Sequence, residues 1–219
     1  MLGLASADLE RHIAIDIGAA GVTRGLSQRF DATAVLQRYS RLVVDCNRSP
    51  SAPDFITTLS ETTEIPGNEG LTPDQVAART REIFEPYHTT IRDALDARAR
   101  AGQDSVLVSV HSCTPVYHGV HRPWHIGILY DRDDRFARLL LDILRAHGEL
   151  TVGENQPYHL THERDYAVPT HGELRGIPHV ELEIRQDLIA SETGQAEWVD
   201  RLVPVLEEAL DRSRGLGIL

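Results

Sequence analysis

The segment His179-Val-Glu-Leu-Glu-Ile-Arg-Gln-Asp187 constrains this chain more than any other. Successive side chains of a β-strand point to opposite faces. Read as a strand, the segment therefore puts Val180, Leu182 and Ile184 on one side and His179, Glu181, Glu183 and Arg185 on the other. The apolar side asks for a core to pack against. Two carboxylates, an imidazole and a guanidinium on the opposite side ask for partners, and a reaction centre supplies them. The bland alternative is a solvated edge strand.

With 219 residues, 41% of them hydrophobic, the chain is long enough for one substantial core, and a single domain over residues 1–219 is expected. Its formal charge of −11 disfavours phosphate-backbone binding, which depends on basic patches, so a small-molecule partner fits better than nucleic acid. Cys46 and Cys113 are the only cysteines, which leaves no disulfide framework and no paired-cysteine zinc signature; a reducing, cytoplasmic setting is the expectation. No basic leader followed by an apolar run is present, and no stretch approaches the roughly 18 apolar residues of a membrane span. Eleven histidines, ten of them from His88 to His179, raise the question of metal binding or proton transfer.

Element signals alternate along the chain. Ser6 with Asp8 and Glu10 reads as the start of a helix whose face is Leu9, Ile13 and Ile17, ending near Gly18 to Gly25. Residues 34–46, with Val43 and Val44, read as a buried strand that delivers Asp45-Cys46-Asn47-Arg48 at its end. Thr72-Pro73-Asp74-Gln75 predicts a capped helix start, and Pro86 a kink or break further on. Strands are predicted over 105–110 and 124–130, followed by a helix carrying Phe136, Leu139, Leu140, Ile143 and Leu144. Another short strand follows Gly148, then the Glu-rich strand and a last helix with Trp198, Leu202, Val205, Leu206 and Leu210. This order predicts a three-layer α/β/α domain with a mixed, mostly parallel sheet.

Ligands of such sheets sit outside the carboxyl ends of the strands, and three polar clusters fall near predicted strand ends. His111, after Val106 to Val110, offers a neutral imidazole to zinc or a structural hydrogen bond. Arg48 can grip a carboxylate through two parallel hydrogen bonds with Asn47 orienting it, or form an ordinary ion pair. Glu181 and Glu183 lie on one face and perturb each other, and one can serve as a general base towards metal-bound water. Cys113, two residues after His111, is either a thiol nucleophile or a small core residue. Tyr158, on a loop, and Arg122 with Trp124-His125 are placed to line a pocket.

Taken as a set, Asp45-Cys46-Asn47-Arg48-Ser49-Pro50, Val110-His111-Ser112-Cys113-Thr114-Pro115, Arg122-Pro123-Trp124-His125 and His179 to Asp187 resemble the N-formylglutamate amidohydrolase family. The resemblance runs from His12-Ile13-Ala14 to the last helix, and the family is similar in architecture to zinc carboxypeptidases, with a phosphorylase/hydrolase-like fold. It implies that His111 binds Zn2+, that Glu183, which stands in a Glu-x-Arg frame with Arg185, activates water, and that Arg48 holds the substrate carboxylate. Asn47, Arg185 and Tyr158 complete the substrate contacts. The implied reaction is hydrolysis of a small N-acyl amino acid such as N-formylglutamate to formate and glutamate, as in histidine degradation. The chain departs from the family at its front, where a histidine-bearing strand that gives an early zinc ligand is expected; His12 and Asp16, at i and i+4, are substitutes or a plain surface pair. The competing expectation is an N-terminally truncated, catalytically impaired homologue that binds small molecules. A truncated sheet would also expose an edge strand and favour self-association.

Overall fold

The computed structural model describes residues 2–219. In chain order it contains α1 (Ser6–Leu9), α2 (Ala19–Phe30), the hairpin of β1 (Leu59–Ser60) and β2 (Thr63–Glu64), α3 (Pro73–Arg79) and α4 (Glu85–Arg100). These are followed by β3 (Leu107–Cys113), the small hairpin of β4 (Val116–Tyr117) and β5 (Val120–His121), β6 (Ile126–Leu129), α5 (Arg135–His147) and β7 (Val152–Glu154). The chain closes with α6 (Ala167–His171), β8 (His179–Arg185) and α7 (Glu192–Gly215).

The central sheet has four strands in the order β3-β8-β6-β7. β8 runs parallel to β3, and β7 parallel to β6, while β6 is antiparallel to β8. The sheet is therefore mixed and mostly parallel, as expected. β8 lies at its centre and alternates as the sequence requires. Val180, Leu182 and Ile184 are at most 1% exposed and pack with Ile126, Ile128, α5, α7 and the Val22 and Leu26 face of α2. Each such side chain contributes roughly 1.5–3 kcal/mol by leaving water. His179, Glu181 and Glu183 are also buried, but on the opposite face, under α6 and the loops around Asn47.

The helix start predicted at Thr72 is realised, and so is the last helix. Thr72 and Gln75 form a reciprocal capping box, and the Ser191 hydroxyl accepts from the Gly194 backbone N–H. The predicted break at Pro86 takes the form of a π-helical turn over Thr80–Phe84 that joins α3 to α4, since proline has no N–H to offer the preceding turn.

Two expectations are corrected. The N-terminal helix is one turn, α1, with no side-chain cap, and residues 10–17 form turns; α2 starts only after Gly18, whose φ of 79° is outside the helical region. The spacing of Leu9, Ile13 and Ile17 is not a helix face: Ile13 packs instead with Ala14, Leu42 and Ile65 in a small separate core. Residues 34–46 are not a strand either. Val44 is buried, but carbonyls of this segment are met by side chains: Asn68 donates to Leu42 O at 2.8 Å and Arg79 to Val43 O at 2.8 Å. Buried backbone groups need partners, and here those partners come from distant side chains rather than a ladder.

Candidate active site

The polar face of β8 is matched residue by residue to β3: Ser109 pairs with Glu181, and His111 with Glu183. His111 thus lies within β3, not beyond it, and its ring stands beside two carboxylates on the neighbouring strand. The loop after Val44 closes over them. It is anchored by Phe55, Phe84 and Cys46 in an apolar cluster, and by an Asx turn in which Asp45 accepts from the Asn47 backbone N–H at 2.9 Å.

His111 is the hub. Its Nδ1 lies 2.6 Å from Asp16 Oδ2, and its Nε2 lies 3.5 Å from Glu181 Oε2, 3.4 Å from Asn47 Nδ2 and 3.1 Å from Ser109 Oγ. Asn47 Nδ2 donates to Glu181 Oε2 at 3.2 Å, and Asn47 Oδ1 accepts from the Ala167 backbone N–H at 3.1 Å, so the amide is fixed from both ends. Burial pushes the His111 pKa down, but the charges of Glu181 and Asp16 outweigh it and raise it to about 10. Burial also pushes Asp16 up, and there His111, Arg41 and Arg48 prevail and hold it below the usual carboxylate range. Glu181 and Glu183 are raised, chiefly by burial, Glu183 to about 8. Oε2 of Glu183 is buried without a hydrogen-bond partner, which leaves it free to take a proton.

Of the residues singled out from the sequence, the fold brings together Asp16, Asn47, His111, Glu181 and Glu183, and adds Ser109. Arg48 borders this group, but its guanidinium donates to Asp54 at 3.0 Å and to Asp165 at 2.8 Å. Arg185, at the end of β8, donates to Asp187 at 2.8 and 3.2 Å. Tyr158 accepts from Arg122 Nη1 at 2.9 Å, and the Arg122 guanidinium lies between the rings of Tyr117 and Tyr158, 4.8 and 4.7 Å from their centroids. His12 and Asp16 do not act as a helix pair: His12 Nε2 contacts Glu61 Oε1 at 3.2 Å, while Asp16 turns to His111. Cys113 is buried with its thiol pushed up to about 12, mainly by burial, and no hydrogen bond joins it to His111. This does not suit a thiolate nucleophile.

Sequence reasoning missed Asp16 as the partner of His111, because it placed that residue on a helix. It also passed over Glu181 in favour of the Glu-x-Arg frame, although strand alternation alone put both carboxylates on one face.

A metal at His111 is a matter of donor chemistry. Two ligands of one tetrahedral ion stand about 3.3 Å apart when each bond is about 2.0 Å. His111 Nε2 and Glu181 Oε2, at 3.5 Å, fit as two such donors, and Asp16 on Nδ1 is the carboxylate that orients a ligating imidazole. Among the described residues, the one group of three ligand-type side chains already drawn together lies elsewhere. Asp131, His162 and Glu173 hold one ligand atom each within 4.8 Å of the others, a set that can hold a metal ion.

The chain is similar to the gene product Atu2144 from Agrobacterium tumefaciens, whose crystal structure superposes with a TM-score of 0.92 at 40% identity, covering 97% of this chain and 84% of that one. It shares its fold with an N-formylglutamate amidohydrolase from Ralstonia eutropha JMP134, with a TM-score of 0.54 at 19% identity and coverage of 94% and 89%. No curated protein matches. The family model for N-formylglutamate amidohydrolase matches residues 1–190, and with most of the chain so covered, this protein belongs to the N-formylglutamate amidohydrolase family.

Proposed function

We propose that the protein is a zinc-dependent amidohydrolase that cleaves a small N-acyl amino acid such as N-formylglutamate. The observation that carries this reading is His111 set between Asp16 and Glu181, opposite Glu183 with its unpartnered, buried Oε2. His111 and Glu181 would hold the ion, which when bound supplies a polarised acyl carbonyl and a more acidic water. Glu183 Oε2 takes the proton of the attacking water and passes it to the leaving nitrogen as the C–N bond breaks, giving formate and the free amino acid. Burial raises the Glu183 pKa to about 8 in the metal-free protein, and the charge of a bound ion would bring it back towards neutrality, where one carboxylate serves both transfers.

Two cationic side chains lie on either side of the cluster. Arg48 follows Asn47, which donates to Glu181, while Arg185 closes β8 and donates to the Arg122 carbonyl. Two separated cations suit a dicarboxylate such as an N-acylated glutamate. Arg48 would exchange an existing carboxylate partner for that of the substrate.

The test is zinc content and hydrolysis of N-formylglutamate by the purified protein. Chelator-sensitive hydrolysis that is lost in His111→Ala is expected. A second reading is a non-catalytic binder of acyl amino acids, favoured by the presence of only two donors at His111. Ligand binding without hydrolysis under zinc saturation would select it.

A further inference from the structure

At the opposite end of β8 from Arg185, a second group of polar side chains, three half-buried and one buried, has no role in the proposed reaction. We propose that it is a separate divalent-metal site of the zinc class, held by Asp131, His162 and Glu173 with His179 against it. It is assembled from four parts of the chain: Asp131 follows β6, His162 lies on the loop that also carries Tyr158, Glu173 lies between α6 and β8, and His179 opens β8. The antiparallel pairing of β6 with β8 brings the end of one beside the start of the other.

The acceptors in this cluster outnumber its protons. His162 Nδ1 lies 2.8 Å from Asp131 Oδ2 and 3.4 Å from Glu173 Oε2, so one ring nitrogen faces two carboxylates and has at most one proton to give. His179 lies 2.7 Å from Ile177 O through Nδ1, which must therefore carry a proton, so in the neutral ring Nε2 holds a lone pair. That Nε2 is buried in a residue only 1% exposed, has no hydrogen-bond partner, and points at Glu173 Oε1 at 3.7 Å. Two electron-pair donors thus face each other with no hydrogen between them. Glu173 Oε1 is steadied by the backbone N–H groups of Arg132 at 2.7 Å and Asp133 at 3.1 Å, which orient the carboxylate without neutralising it. A divalent cation supplies the missing positive charge, and a mixed imidazole and carboxylate set suits zinc or its first-row neighbours.

The ion would be structural. It ties the loop bearing Tyr158, and with it Asp165, the partner of Arg48, to the two central strands. None of its proposed ligands belongs to the reaction machinery around His111, so the proposal stands independently of the one above.

The experiment compares zinc retained after dialysis, measured by inductively coupled plasma mass spectrometry, in wild type, His162→Gln and Asp131→Asn, with folding checked by circular dichroism. Both variants should hold one equivalent fewer than wild type, and zinc should raise the melting temperature of wild type by several degrees more than that of either variant. Wild type that retains no zinc, or a folded variant that retains the full wild-type count, would overturn the proposal. If one variant fails to fold, the other decides. Wild type with one equivalent and variants with none would support this site while leaving His111 without zinc, so the two sites are read separately.

Discussion

Glu183→Gln tests the environment of the candidate base without changing its shape. Glu183 is 6% exposed, and burial carries its pKa from 4.5 to about 8, with the charges of Glu181 and Asp16 adding to the rise and those of His111 and Arg41 opposing it. Below pH 4.5 the carboxyl is protonated whether the chain is folded or not. Between 4.5 and 8 the unfolded chain releases a proton that the fold retains, so stability falls as pH rises, by about 1.4 kcal/mol per pH unit. Above pH 8 the accumulated loss is roughly 4–5 kcal/mol. Glutamine carries no such proton. In chelator-treated protein, urea unfolding at pH 5, 7 and 8.5 should show the variant gaining on wild type at each step. A difference that does not widen with pH would refute the argument from burial. The same variant tests the chemistry, since loss of a general base costs about 10²–10⁴-fold in kcat. Hydrolysis within tenfold of wild type would remove Glu183 from the role of base.

Three further perturbations address the supports of the site. Asp16→Asn removes the carboxylate from His111 Nδ1, and zinc affinity measured by calorimetry should fall about 10–100-fold, while an unchanged affinity would count against His111 as a ligand. His88 and His171 are buried and hydrogen-bonded at 2.9 Å, and burial lowers each pKa to about 4. The unfolded chain takes up protons from pH 6.5 downward that the folded pair refuses, so stability is lost as pH falls towards 4, by roughly 3 kcal/mol for each histidine. His171→Gln should flatten that fall in urea melts at pH 7 and 4.5; an unaltered slope would contradict it. Gly127→Ala sets a Cβ 1.9 Å from the Gln156 carbonyl oxygen, two residues before Tyr158. Overpacking against backbone costs about 1–3 kcal/mol, so the melting temperature should drop and KM rise, and a wild-type melt would show that the loop does not rest on the strand.

How much of this was legible depends on where each residue finds its partner. β8 was readable because its alternation is local, and both faces behave as the pattern says. The Thr72 cap was readable because Gln75 lies three residues away. Burial at Val44 and Ile13 was readable as well, but the element type was not, because the groups that satisfy Leu42 and Val43 are Asn68 and Arg79. The same holds for the site. Glu183 and His111 could be nominated from their strands, whereas Asp16 reaches His111 across 95 positions of sequence, and no local signal announces that contact. The cluster of Asp131, His162, Glu173 and His179 was invisible for the same reason, being joined only by the antiparallel turn of β6 against β8.

The position of β8 has a consequence for how the molecule is made. It is the last strand of the chain, yet it sits between β3 and β6. Among the described residues β3 therefore has no neighbour in the central sheet until residues 179–185 arrive, and during synthesis it waits while the 65 positions between Cys113 and His179 are completed. Long-range pairing of this kind closes slowly and leaves strand edges exposed to other chains. Ending the chain before β8 would then do more than remove Glu181 and Glu183: it would leave two halves of a sheet with nothing to join them.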